Sequence, residues 1–200
     1  MSKMTHRRRK VAILVYEGVE AMDLAAPAEV FGFLKEHFEA WTVGLDLGPV
    51  RSQGFLALLP DHDLESCPPM DILVVPGGEV DALMGHAALR RWLADRSQGV
   101  EILFSICTGA GLLADAGLLR DMEVCTFHNY YQKLRALEPT CRVDVHSRFR
   151  LNGKVLTAAG VSAGIDASLF LVGRLLGTSV AQMVAAYMEY PLSNEWQHER

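Results

Sequence analysis

The 200-residue sequence contains no long apolar run, no closely spaced cysteine pair and no excess of positive charge. Its first apolar stretch, "VAILVY" at Val11–Tyr16, stops at Glu17, too short for a secretory signal core or a membrane span. Cys67, Cys107, Cys125 and Cys141 are widely separated, with no histidine at zinc-site spacing, so free thiols are expected and no structural metal. A disulfide framework does not suit a chain of this length with so large an apolar fraction. Lys and Arg number 19 against 24 Asp and Glu, a net charge of −5 that gives no general attraction for nucleic acid or anionic membrane. The exception is "HRRRK" at His6–Lys10, which lacks interleaved aromatics and reads as a solvated terminal tail. These absences lead to the expectation of a soluble cytoplasmic protein with no metal, nucleic-acid or membrane partner.

What is present is enough apolar residue, 50% of the chain, for one sizeable core. One domain is expected over residues 11–191, flanked by tails at 1–10 and 192–200. Val11–Tyr16, Met70–Val75 and Ile102–Ile106 are short, mostly apolar runs with the pattern of strands covered on both faces. Trp41–Leu47 and Gly54–Leu59 read as further strands, and Glu123–Phe127 as another. Helical spacing is read at Asp23–Phe38, with Pro27 in its first turn, and at Val80–Arg96, Thr108–Leu119, Tyr130–Leu137, Ser162–Leu176 and Ser179–Tyr187. Arg142–Ala158 reads as a hairpin turning at Asn152-Gly153. Strands alternating with helices imply a mainly parallel sheet between helical layers, with ligands bound beyond the carboxyl ends of the strands.

Three loops fall at that edge: Glu17–Asp23, Pro76–Glu79 and Ser105–Gly109. The last, "SICTG", has the form small-x-nucleophile-x-Gly at a strand-to-helix junction, the pattern of a nucleophile elbow. A helix N-terminus favours a thiolate, so a lowered Cys107 pKa is expected, with following N–H groups receiving negative charge. The alternative is a small residue buried in the core. Gly109 and Gly111 follow a strand, but Ala114 stands where a dinucleotide fingerprint needs its third glycine, and no cofactor is expected. Asp23 is placed either to cap its helix or to face the other two loops, and Glu20 competes for the same part. Of the histidines, His128, just after a strand, is best placed for chemistry. His37, His62, His86, His146 and His198 read as surface or packing residues.

The segments "VAILVYEGVEAMDLAAPAEVF", "DILVVPGG", "SICTGAGLLADAGLL", "CTFHNY" and "VLTAAGVSAGIDASLFLV" together resemble the DJ-1/PfpI (ThiJ) superfamily over Val11 to about Pro191. Within it the chain is most similar to the isonitrile hydratase group and to the amidase-like domain of AraC-type regulators. The resemblance implies a flavodoxin-like three-layer α/β sandwich, related to class I glutamine amidotransferases, and a homodimer acting on a small molecule. It implies that Cys107 is the elbow nucleophile, that Asp23 is the acid contacting it and that Thr108 is the threonine following the cysteine in the hydratases. Gly77 and Gly78 match a turn whose backbone N–H groups face the thiol and would bind substrate or oxyanion. The histidine that follows the cysteine in PfpI relatives is Thr108 here, and H-x-E occurs only at His37-Phe38-Glu39, so a Cys-His-Glu triad is not implied. Where hydratase-like members often read Thr-Thr-His-Trp, this chain has Cys125-Thr126-Phe127-His128. The histidine is thus displaced by one place, toward a different ligand if His128 lines the pocket.

The expected activity is that of an isonitrile hydratase-like hydro-lyase, giving an N-substituted formamide through Cys107 and a protonated Asp23. The alternatives are a ligand-sensing domain, a redox or stress protein acting through Cys107 oxidation, and a glyoxalase-like aldehyde hydratase. The helix-turn-helix that accompanies the sensing domain is not expected from the short segment after Met188.

Overall fold

The structure, a computed structural model, describes residues 7–192. His198 and the rest of the expected C-terminal tail beyond Leu192 lie outside the described residues. The chain begins β1 Arg9–Leu14, α1 Ala21–Phe33, β2 Phe38–Val43, β3 Val50–Arg51, β4 Ala57–Leu58, β5 Ile72–Val75, α2 Ala87–Gly99 and β6 Ile102–Ile106. It continues α3 Gly109–Asp115, β7 Glu123–Val124, α4 Tyr131–Leu137, β8 Arg142–Val143, β9 Phe149–Asn152, β10 Val155–Ala158, α5 Ala163–Leu176 and α6 Thr178–Tyr187.

Six strands form the central sheet in the order β2-β1-β5-β6-β10-β9, parallel except for the β9–β10 hairpin. Every residue of β5, β6 and β10 is buried, as strands covered on both faces require. Their side chains divide by period two. Val11, Ile13, Ile72, Val74, Ile102, Phe104 and Ile106 pack with α1, α5 and α6. Ala12, Leu14, Leu73, Val75 and Leu103 pack with α2, α3 and α4. The result is the expected flavodoxin-like three-layer sandwich. From β1 the chain turns outward to β2 and later returns to β5 on the other side, so the loops after β1 and β5 part at a topological switch point.

Several boundaries differ from the sequence reading. Helix α1 begins at Ala21, which puts Pro27 in its second turn and leaves the Asp23 carbonyl without its usual N–H partner from residue 27. The helix also ends earlier, because Phe38 is drawn into β2 beside Arg9. The segment Val80–Arg96 is broken by Gly85 at φ 75°, and α2 starts afresh with His86 accepting from the Leu89 N–H at 3.2 Å. Gly54–Leu59 contributes only the two-residue β4, paired with β3, while Arg142–Val143 pairs with β7 outside the main sheet. The turn at Asn152-Gly153 is as expected, with Gly153 at φ 59°.

The basic run is partly structured: β1 starts at Arg9, inside the segment expected to be a tail. Arg7 pairs with Asp71 at 2.6 Å, Arg8 with Glu39 at 3.3 Å and Arg9 with Glu101 at 2.8 Å. Each acidic partner belongs to a different part of the sheet's amino edge. Among the described residues, no helix is long and apolar enough to cross a membrane, and no cluster of His, Cys, Asp or Glu could hold a metal ion.

Candidate active site

Cys107 follows the last residue of β6 and takes φ 58°, a left-handed conformation that costs a non-glycine residue about 1–2 kcal/mol. That cost is met by contacts on every side of the elbow. The Cys107 N–H donates to the carbonyls of Ala158 at 3.1 Å and Ala159 at 2.9 Å, and its carbonyl accepts from buried Thr126 Oγ1 at 2.7 Å. Gly109 permits the turn: a Cβ there would stand 2.1 Å from the Val75 carbonyl oxygen. The thiol residue is itself only 6% exposed.

Asp23 reaches the same place from the first turn of α1. It is fully buried and does not cap its helix; Glu20 does, accepting from the Met22 N–H at 3.4 Å. Asp23 Oδ2 accepts from the Gly77 N–H at 2.9 Å, whereas Oδ1 is buried with no hydrogen-bond partner. Burial pushes the carboxyl up from 3.8 to about 7, helped by the Glu20 charge; the Gly77 N–H, the Cys107 thiol and the Val161 N–H act in the opposite sense.

The thiol does not follow the expectation of a lowered pKa. Burial, and then the facing Asp23 charge, push Cys107 up from 9.0 to about 12. The Thr108 and Val161 backbone N–H groups favour the thiolate, but they do not outweigh those two effects. Helix α3, with seven residues, brings little dipole to offset the loss of water. The paired sites therefore keep the thiol proton on sulfur in the resting state, with the carboxyl near its midpoint at neutral pH.

The glycine turn also differs from expectation. Gly77 and Gly78 flank the elbow, but neither N–H is free to bind an oxyanion. The Gly77 N–H is spent on Asp23, and the Gly78 N–H donates to Thr108 Oγ1 at 2.9 Å. Thr108 Oγ1 in turn donates to the Gly78 carbonyl at 3.0 Å, so its side chain buckles two loops together. The backbone donors that do face the sulfur are those of Thr108 and Val161. Val161 escaped the sequence reading because a main-chain N–H leaves no mark in residue type. Its β-branched side chain at φ 49° is equally invisible there.

His128, proposed from the sequence to bind substrate, is not among the residues that line the cleft beside the elbow. It is exposed on a 3₁₀ turn, His128–Tyr130, with its ring 4.2 Å from that of Phe127. Phe127 takes the inward position instead. A cleft of about 570 Å³ opens beside the elbow, lined in part by Gly78, Glu79, Thr108, Phe127 and Tyr130. His37 and His146 are exposed, His62 packs against Trp41 and His86 caps α2, so none of these reaches the thiol.

A buried thiol on a left-handed elbow, facing a carboxyl from the first helix of a parallel sandwich, agrees with what sequence comparison finds. Residues 9–173 match the DJ-1/PfpI family. The chain belongs to the DJ-1/PfpI family. It is 32% identical over 182 residues to an isonitrile hydratase of Pseudomonas putida, covering 90% of this chain and 78% of that one. It is 28% identical over 172 residues to the HTH-type transcriptional regulator GbdR of Pseudomonas aeruginosa, covering 83% of this chain but 45% of the regulator. Among solved structures, a ThiJ/PfpI family protein from Pseudomonas syringae superposes with a TM-score of 0.86 at 28% identity, covering 97% of this chain and 84% of that one. The chain is thus similar to an enzyme and to a regulator, and its own chemistry has to be argued from its thiol and carboxyl.

Proposed function

We propose that the protein hydrates a small isonitrile to an N-substituted formamide, as a homodimer in the reducing cytoplasm. The observation that carries this reading is the buried Asp23–Cys107 pair, with a carboxyl near 7 and one oxygen left unpartnered. Such a carboxyl can both take and give a proton at neutral pH. Asp23 takes the Cys107 proton as the sulfur bonds to the isonitrile carbon, then delivers it to that carbon, leaving a thioimidate, R–N=CH–S–Cys107. Water adds to the same carbon and the carbon–sulfur bond breaks. One water proton ends on nitrogen and the other returns to sulfur through Asp23, which gives R–NH–CHO and the starting thiol. The N–H groups of Thr108 and Val161 stabilise sulfur while it carries charge.

The similarity to the Pseudomonas putida hydratase supports the substrate class, and four free cysteines suit a reducing compartment. The peroxide-sensor alternative is disfavoured, because a buried thiol held at about 12 presents little thiolate to an oxidant. The test is incubation of the purified protein with alkyl isonitriles and detection of the formamide by NMR. Formation that depends on Cys107 supports the reading. Formation that survives Cys107→Ala overturns the covalent route, and no formation from a panel of isonitriles overturns the substrate class.

A further inference from the structure

We propose that the cleft beside Cys107 selects a small substrate bearing an amine or ammonium group and rejects anionic ones. The proposal rests on the reading of Cys107 as the reacting thiol, and it deepens that reading by assigning the far end of the substrate.

Three features of the cleft converge on positive charge. Glu79 and Asp81 line it, and among the described residues no lysine or arginine does. Phe127 and Tyr130 line it as well, and aromatic faces beside carboxylates are the setting in which ammonium groups are held. Tyr130 is 7% exposed and borders the cleft, while its hydroxyl packs inward against Gly111 of α3. A cation already exploits part of this chemistry: Lys133 Nζ lies 5.7 Å over the Tyr130 ring and is ion-paired with Asp81. Lys133 therefore competes with a cationic ligand for the Asp81 carboxylate, while Glu79 has no such pairing among the ion pairs of the described residues. Near the reacting end, Glu20 adds a further negative charge felt by Asp23. An anionic substrate tail would meet the Glu79 and Asp81 carboxylates in the cleft wall.

The test uses two methanethiosulfonate reagents of similar size, one ending in trimethylammonium and one in sulfonate. Each reacts with Cys107 by forming a disulfide and releasing methanesulfinate, so charge selectivity is read without any turnover. Rates are divided by those of each reagent with 2-mercaptoethanol, and the background from Cys67, Cys125 and Cys141 is subtracted with Cys107→Ser. The normalised rate ratio, cation over anion, is expected to be about fivefold to tenfold at low salt and to fall as salt is raised. The double substitution Glu79→Gln, Asp81→Asn should bring it close to one. Lys133→Met, which frees Asp81, should raise it about twofold to threefold. A ratio at or below one in the native protein overturns the proposal, as does a ratio that the double substitution leaves unchanged or that Lys133→Met lowers. Failure of isonitrile turnover with the ratio intact counts only against the hydratase reading. Turnover with no charge preference counts only against this one.

Discussion

Asp23 and Asp166 occupy matching places: each lies in the first turn of a helix, α1 or α5, and each is buried, at 0% and 3% exposure. Their surroundings differ in one respect. Asp166 is met by Arg148 Nε at 2.5 Å and by the Tyr190 hydroxyl at 3.2 Å, and Arg148 goes on to Ser162 at 3.1 Å. Among the described residues no cation pairs with Asp23; the Gly77 N–H bonds one oxygen, and the other groups that favour its charge, the Cys107 thiol and the Val161 N–H, are uncharged. A buried carboxylate is costly unless paired. At α5 the fold supplies the counterion and obtains a brace between the β9 approach and the α5 start. At α1 it withholds the counterion, and the cost appears as a carboxyl that titrates near 7. The carboxyl proposed to act thus differs from the bracing one less in type than in the missing counterion.

The largest effect that would sharpen this contrast is on rate. Asp23→Asn keeps the Gly77 contact but cannot move a proton, so isonitrile turnover should fall by about 10²- to 10⁴-fold, measured by steady-state kinetics. Asp166→Asn should leave kcat within a few-fold. Equal losses in both variants would break the comparison.

Stability against pH should separate the two residues next. A buried acid whose pKa is raised on folding favours the protonated native state. Its contribution is fully present below pH 4 and is lost as pH climbs through about 7. The rise from 3.8 to about 7 corresponds to at most about 4 kcal/mol. Urea unfolding from pH 4 to 8 should show this decline in the native protein and a flatter profile in Asp23→Asn. A native profile as flat as that of the variant would count against an uncompensated Asp23.

Smaller again is the brace. Arg148→Met leaves Asp166 buried with only Tyr190, and the unfolding free energy should drop by about 2 kcal/mol, less than for a fully buried pair because Arg148 is partly exposed. Restoring charge with Arg148→Lys should recover part of that loss. The smallest effect is expected from His128→Ala, an exposed side chain outside the cleft lining: stability within about 0.5 kcal/mol and turnover within twofold. A tenfold loss there would return His128 to the site.

The buried strands were legible because they leave a plain mark. Ile102–Ile106 is found with the bounds that its apolar run suggested, and Asp23 and Cys107 meet at the sheet edge to which the alternating pattern assigned them. What was illegible depended on contacts distant in sequence. Phe38 belongs to a strand rather than a helix because β1 lies beside it. The direction of the Cys107 shift required knowing that burial and Asp23 together exceed the pull of a short helix. Gly77 and Gly78 lie next to the elbow as expected, but their N–H groups are taken by the side chains of Asp23 in α1 and Thr108 in the elbow. The exposure of His128 was illegible because a single 3₁₀ turn decides which of two adjacent rings points inward.

The ion pairs of Arg7, Arg8 and Arg9 change what a polyanion would encounter. On the page "RRRK" looks like a handle for heparin or DNA, yet each arginine meets a carboxylate contributed by another part of the chain. The patch therefore presents interleaved charge, with few counterions to be displaced from a bound polyanion. Chromatography on heparin should show the result directly, with elution at low salt despite the basic run.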